Sequence, residues 1–189
     1  MANQDDQQLI RRTLDGQKEA FGQLIQKYQD RLYNSMVQIL RNESEAEDVV
    51  QDAFVLAFTK LASFKGKSAF FTWLYRIAYN VAITRMRRRK PNVSIDGKEE
   101  SARLDFPDTG PAPEDRLEQQ EQAKQLNKAL GRLSPDHRAI LILRELEELD
   151  YDAISEVLDL PIGTVRSRLH RARGHLREHL EAIMNSSLE

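Results

Sequence analysis

Large apolar residues recur at three- and four-residue steps through nearly every segment of this 189-residue chain, and no segment alternates apolar with polar residues as a half-buried strand would. Stripes of that period are buried by packing helix on helix, so the expected fold class is all-α. Leu9, Ile10 and Leu14 mark a short first helix, broken at Asp15-Gly16. A longer second helix carries Phe21, Leu24, Ile25, Tyr28, Leu32, Met36, Val37 and Leu40 on one side. Ser44, with Glu47 three residues on, reads as a capping box opening a third helix whose core face is Val49, Val50, Ala53, Phe54, Ala57 and Leu61. Residues 64–68, which include Gly66, read as a loop. Trp73, Leu74, Ile77, Ala78 and Val81 then predict a fourth helix, which ends in the basic run 85–90.

The pattern lapses once. Residues 91–118 are rich in Pro, Gly, Asp, Ser and Glu and poor in large apolar residues, so they bury too little surface to offset the entropy of ordering. We read them as an acidic flexible linker between two small helical domains, 1–90 and 119–185. Helical pattern resumes near Leu117, and Leu126 to Leu133 gives one helix. Ser134-Pro135 supplies an N-cap and a first-turn proline for the next, buried through Ile140, Leu141, Leu143 and Leu146. Tyr151, Ile154, Val157 and Leu158 mark a short helix, and residues 159–163 turn into another. Helix, short turn, helix at this spacing is a helix-turn-helix.

The net charge of −2 conceals an uneven distribution. Residues 1–90 carry fifteen Lys and Arg against ten Asp and Glu, and residues 91–118 carry three against eight. There is no cysteine, which excludes disulfides and cysteine-ligated zinc. No apolar run reaches the roughly 20 residues that cross a bilayer, so a chain without its own export signal or anchor, resident in the cytoplasm, is expected.

Three constellations carry candidate chemistry. After the helix-turn-helix spacer, Val165, Leu169, Ala172, Leu176 and Leu180 form one stripe, with Ser167, His170, Arg171 and Gly174 opposite and Arg166, Arg168, Arg173 and Arg177 on the flanks. No acidic residue lies between Thr164 and Arg177. A solvated face normally mixes signs, whereas this one suits DNA: Arg forks onto guanine edges, and flanking Arg and Thr hold phosphates. Through residues 64–80, basic and aromatic side chains interleave. Phe70, Trp73 and Leu74 read as core, while Lys65, Lys67, Tyr75, Arg76, Tyr79 and Asn80 are candidates for single-stranded nucleic acid. The acidic cluster Glu45, Glu47, Asp48 and Asp52 with Gln51 has three readings: a docking face for a basic partner helix, carboxylates favoured by the helix dipole, or a metal-dependent nuclease. Docking ranks first. His175 to His179 matches a zinc-hydrolase pattern, but Leu176 and Leu180 occupy the buried side and no distal Glu is evident, so no metal site and no cofactor are assigned.

Taken together, residues 48–54, 70–80 and 161–173 resemble the extracytoplasmic-function group of bacterial RNA polymerase sigma factors, part of the sigma-70 superfamily. The resemblance implies sigma region 2 at the N-terminus and a helix-turn-helix region 4 at the C-terminus, with no folded region 3 between them. It implies that Asp48, Gln51, Asp52 and Phe54 bind core polymerase, at the clamp helices of its largest subunit, or support that binding. It implies that Phe64, Lys65, Gly66, Lys67 and Ser68, with Tyr75, Arg76 and Asn80 nearby, capture an extruded base of the −10 element. The −35 element would be read by Arg166, Ser167, His170 and Arg171, with phosphate contacts from Thr164, Arg168 and Arg173. The acidic linker resembles those that thread the polymerase's RNA path. Lys67 stands where many members carry an acidic residue, and Asp52 replaces the more usual Glu.

A promoter-specificity subunit that is not itself an enzyme is implied by this resemblance, with core polymerase, promoter DNA and a separate anti-sigma factor as partners and a stress or envelope signal as trigger. The rival is a stand-alone helix-turn-helix regulator binding duplex DNA as a dimer, which leaves residues 64–80 and the acidic helix without a task.

Overall fold

The chain first reverses at Gly16, whose φ of +95° is open to glycine and strained for other residues. In the computed structural model, which describes residues 2–89 and 113–186, this turn joins α1 (Ala2–Leu14) to α2 (Lys18–Leu40). α3 (Glu43–Lys60), one 3-10 turn (Leu61–Ser63) and α4 (Phe70–Arg89) complete the first half. The second half contains α5 (Pro113–Arg132), α6 (Pro135–Leu141), a π-helical turn (Ile142–Leu146), α7 (Tyr151–Leu158) and α8 (Ile162–Ser186). Every regular element among the described residues is helical.

In the first half α2, α3 and α4 pack on one another, and α3 buries Ala46, Ala53 and Ala57 completely. Those small side chains let its backbone lie close to its neighbours while Phe54, Phe70 and Leu74 fill the remaining space. α1 is fastened through the buried Asp6, which accepts hydrogen bonds from Lys27 Nζ at 2.6 Å and from the Tyr28 hydroxyl at 2.5 Å. In the second half Val165, Leu169 and Ala172 of α8 are buried, with α5, α6 and α7 all packed against this helix. The two halves also meet, α7 lying on α4 and α6 on α2, and one apolar core runs through both.

Four details depart from the sequence expectation. The N-cap of α3 is Asn42, whose side chain accepts from the Glu45 N–H at 2.8 Å. Its extended backbone begins the helix earlier and places Ser44 inside the first turn, so the Ser44 capping box does not form. α4 starts at Phe70, before the first residue of the predicted stripe. Leu146 is exposed because it ends the π-helical turn, where the α-helical period no longer fixes the face. The backbone of α5 is already helical at Pro113, inside the stretch assigned to the linker. Most of that stretch lies outside the described residues. By contrast, Ser134 caps α6 as expected, accepting from the His137 N–H at 3.3 Å.

The Tyr28 phenol is pushed up to about 12 by burial first and by its hydrogen bond to Asp6 second. Lys27 is raised too, chiefly by its hydrogen bond to Asp6. Both protonated forms are favoured in the folded state, so their stabilisation is complete below about pH 10 and lost as pH climbs toward 12. Urea unfolding between pH 9 and pH 12 is expected to show wild type losing about 2 to 3 kcal/mol through Tyr28 alone. Tyr28→Phe, less stable at neutral pH, should lose correspondingly less over the same interval.

Candidate nucleic-acid interface

The helix-turn-helix is held by its own caps. Asp150 accepts from the Ala153 N–H at 2.8 Å to start α7, and Asp159, at φ +54°, ends it in the left-handed conformation. Ser155 Oγ donates to Leu160 O at 2.5 Å, which fixes the turn entering α8. With Val165, Leu169 and Ala172 inside, the helical period places Arg166, Ser167, His170, Arg171 and Arg173 in solvent, and Thr164 and Arg168 half-buried.

The cationic surface is not uniform. Arg168 Nη1 pairs with Asp136 at 3.2 Å, and Arg173 Nη2 with Glu145 at 2.6 Å. Arg166 lies over the Tyr151 ring at 5.7 Å. Ion pairs and ring contacts therefore hold the flanking arginines, while Ser167, His170 and Arg171 form the exposed crest between them. Asp136 and Glu145 come from α6 and the π-helical turn. No sequence spacing links them to α8, which is why the absence of acids within 164–177 overstated its positive charge.

The second constellation is divided by burial. Gly66, at φ +65°, lets the loop turn, and Lys65, Gly66 and Lys67 are exposed. Phe64 packs against Phe70 and Trp73, with ring centroids at 5.9 and 5.1 Å, and so forms a wall of the loop. Ser68 donates to Glu156 at 2.9 Å, Arg76 pairs with Asp159 at 3.7 Å, and Asn80 is exposed. Tyr75, by contrast, is fully buried and Tyr79 nearly so, which corrects their assignment as surface contacts. The reason is that α4 is covered by α2 and α3 on one side and by α7 on another, so its buried arc is wider than one stripe. Phe71, Tyr75 and Tyr79, at four-residue steps, carried that signal.

On α3, Asp48, Gln51 and Asp52 are exposed, together with Val55 and Phe58. Phe54 is buried and supports this face from beneath. Arg85 of α4, which sequence reasoning did not select, donates to Asp48 at 2.8 Å and to Asp52 at 2.5 Å. These bonds, Asp48 first, raise its guanidinium still further above its ordinary value. A groove of about 310 Å³ runs from this pair along α4, lined by Asp52, Lys60, Asn80, Thr84 and Arg88 among others, and joins the acidic face to the strand candidates. Among the described residues no cluster of His, Cys, Asp and Glu is placed to hold a metal ion, and no helix is long and apolar enough to cross a membrane.

Comparison with known proteins decides the family. Residues 24–91 match the Sigma-70 region 2 family and residues 123–176 match Sigma-70, region 4. The RNA polymerase sigma-H factor of Pseudomonas aeruginosa is 37% identical over 99% of this chain and 100% of that protein. The ECF RNA polymerase sigma-E factor of Escherichia coli K12 is 38% identical over 95% of this chain and 96% of its own length. The chain belongs to the ECF RNA polymerase sigma factors. Two solved structures are similar to this sigma factor at a TM-score of 0.67 and 27% identity. CnrH, in complex with the cytosolic domain of CnrY, aligns over 94% of this chain and 98% of its own. RpoE, in complex with the anti-sigma factor NepR from Bartonella quintana, aligns over 85% and 96%. Region 2 of the sigma factor thus falls on α2 to α4, and region 4 on α5 to α8. The family supports a transcription initiation factor, and not the stand-alone dimeric regulator. Sigma factors are not enzymes.

One titration reports on region 4 directly. The His137 ring stacks on His175 of α8 at 5.1 Å, and its pKa is lowered from the ordinary value by burial first, then by His175, Arg171 and Arg168. The neutral ring is favoured in the fold, so the stability it contributes is present above about pH 6.5 and lost as pH falls below that. An NMR titration should place the His137 midpoint below its ordinary value, and His175→Ala should raise it part of the way back. An unmoved midpoint in that variant would show that the stacked pair is not electrostatically coupled.

Proposed function

We propose that this sigma factor recruits core RNA polymerase through one face of region 2, captures the opened −10 element through another, and reads the −35 element as duplex with region 4. The observation that carries the reading is the exposed crest Ser167, His170 and Arg171 on a helix otherwise fixed by caps, apolar burial and ion pairs. Those three side chains are presented for base edges in a major groove. Thr164, Arg166, Arg168 and Arg173 flank them at positions suited to phosphates.

In region 2, Lys65, Gly66, Lys67, Ser68, Arg76 and Asn80 supply a cationic and hydrogen-bonding surface, with Phe64 as its apolar wall. Such a surface suits a single strand whose base has been extruded at a cost of a few kcal/mol. Asp48, Gln51 and Asp52, supported by Phe54, supply the complementary charge for a basic partner, assigned to the clamp helices of the largest polymerase subunit. The polymerase would do the chemistry. The domain limits we assign are 1–90 and 119–185, joined by the acidic segment 91–118. By extension from the solved complex of RpoE with NepR, a separate anti-sigma factor would hold this chain inactive in the cytoplasm until a stress or envelope signal arrives.

Arg171→Ala is expected to cost about 1 to 3 kcal/mol of discrimination between a −35 duplex and a scrambled one. An equal loss on both sequences would reduce Arg171 to a phosphate contact. Asp48→Arg combined with Asp52→Arg should abolish co-purification with core polymerase and run-off transcription while leaving the melting curve near wild type. Retained co-purification would remove α3 from the docking surface.

A further inference from the structure

Three of the chain's four histidines meet where α6 packs on α8. His175 and His179 stand one turn apart on α8, on the flank that carries Arg168. His137 reaches them from the first turn of α6, and its ring stacks on His175 with centroids 5.1 Å apart and planes at 25°. Together with Arg132 at the end of α5 and Ser134 ahead of α6, these rings line a hollow of about 280 Å³ over the buried Leu133. That is several times the ~30 Å³ share of one water molecule, so a small group fits. The rings are not placed to share a metal ion.

Charge decides what kind of group. No acidic side chain lines the hollow. Of the acids close by, Asp136 pairs with Arg168 at 3.2 Å, and Glu178 lies 3.4 Å from His175 Nδ1. Arg132 and His179 have no ion-pair partner among the described residues. The arginines on the flanks of α8 are thus neutralised from within the chain, whereas Arg132 keeps its full charge beside the hollow. The Ser134 hydroxyl accepts from the His137 N–H and keeps its own hydrogen to donate. Glu178, beside Nδ1, leaves Nε2 as the His175 atom open to a ligand.

An oxyanion offers acceptors. Neutral imidazole donates once and imidazolium twice, so an anion in the hollow favours the protonated rings. Within the chain alone the balance runs the other way: burial, His175, Arg171 and Arg168 disfavour a charged His137, and only Asp136 favours it. A bound dianion supplies the negative charge that these cations lack. Binding then draws protons from solvent, and affinity rises as pH falls. We propose that this hollow is a proton-linked site for a phosphate group, with Arg132 as its fixed cation, Ser134 and His179 as donors, and His137 and His175 as the rings that take up protons when it fills. A free phosphate ester and the backbone of a duplex both present that group. The second source rests on the reading of α8 as the duplex-reading helix; the site itself does not.

Inorganic sulfate is a suitable probe, because its charge is constant over the titration. NMR titration of the full chain at about pH 6 is expected to show saturable movement of the His137, His175 and His179 rings, with His170, outside the hollow, as internal reference. Arg132→Gln and, separately, His179→Gln should weaken sulfate binding, the former by on the order of tenfold, with helix content by circular dichroism unchanged. From about pH 7.5 to about pH 5.5 the wild-type affinity should rise on the order of tenfold. Movement matched by sodium chloride at equal ionic strength, or shared equally by His170, would overturn the proposal. Affinity unchanged in both variants, or independent of pH, would do the same. Competition identifies the source of the phosphate. Displacement of sulfate by both phenyl phosphate and a −35 duplex assigns the site to the DNA backbone, and Arg132→Gln should then weaken duplex binding equally for all sequences. Displacement by phenyl phosphate alone assigns it to a free ester. Sulfate displaced by neither would overturn the assignment to phosphate.

Discussion

A carboxylate removed from water has to be met by charge and hydrogen bonds, and Glu147 meets that requirement only by reaching into the other half of the molecule. Its placement constrains much else. The π-helical turn ends directly before Glu147, whose N–H closes it on Ile142 O. Arg31 is held by Phe71, so an aromatic residue of region 2 positions the cation that receives a carboxylate of region 4. Beside that contact α7 lies on α4, and Tyr75 is fully buried near Glu147.

The same economy of charge shapes α8. Five arginines in one short stretch would repel one another, yet Asp136 and Glu145 from preceding elements neutralise two of them. Exposed pairs of this kind contribute little stability. Their effect is geometric: they restrict two long side chains to fixed positions beside the exposed crest. The crest Ser167, His170 and Arg171 is left to solvent. Arg85 does the reverse on α3, where a cation orients two exposed carboxylates.

How much of this could be read in the sequence depends on the range of each interaction. Helix periodicity and the Ser134 cap are local, and they give the all-α class, the helix-turn-helix and the stripe of α8 directly. Asn42 displaced Ser44 as a cap because both side chains suit the role, and which one serves depends on local backbone angles. The solvent-facing arc of α8 was legible because only one side of that helix is packed near its N-terminus. The arc of α4 was not, because a second cover arrives from α7, encoded far along the chain. For the same reason the partners of Arg168, Arg173 and Arg85 left no trace in spacing. Long-range ion pairs obey no period.

A two-domain chain must combine cohesion within each half with contacts between the halves. Here cohesion within each half comes from fully buried apolar side chains such as Leu24, Leu32 and Leu74 in one and Ile140, Leu143 and Leu169 in the other. Each fully buried residue of this kind contributes about 1.5 to 3 kcal/mol. The polar contacts between the halves include arginines on carbonyls and carboxylates and serines on carboxylates, and the charged ones cost much of the solvation that they return. Because one apolar core also runs through both halves, separating them would expose apolar side chains as well as break these polar contacts.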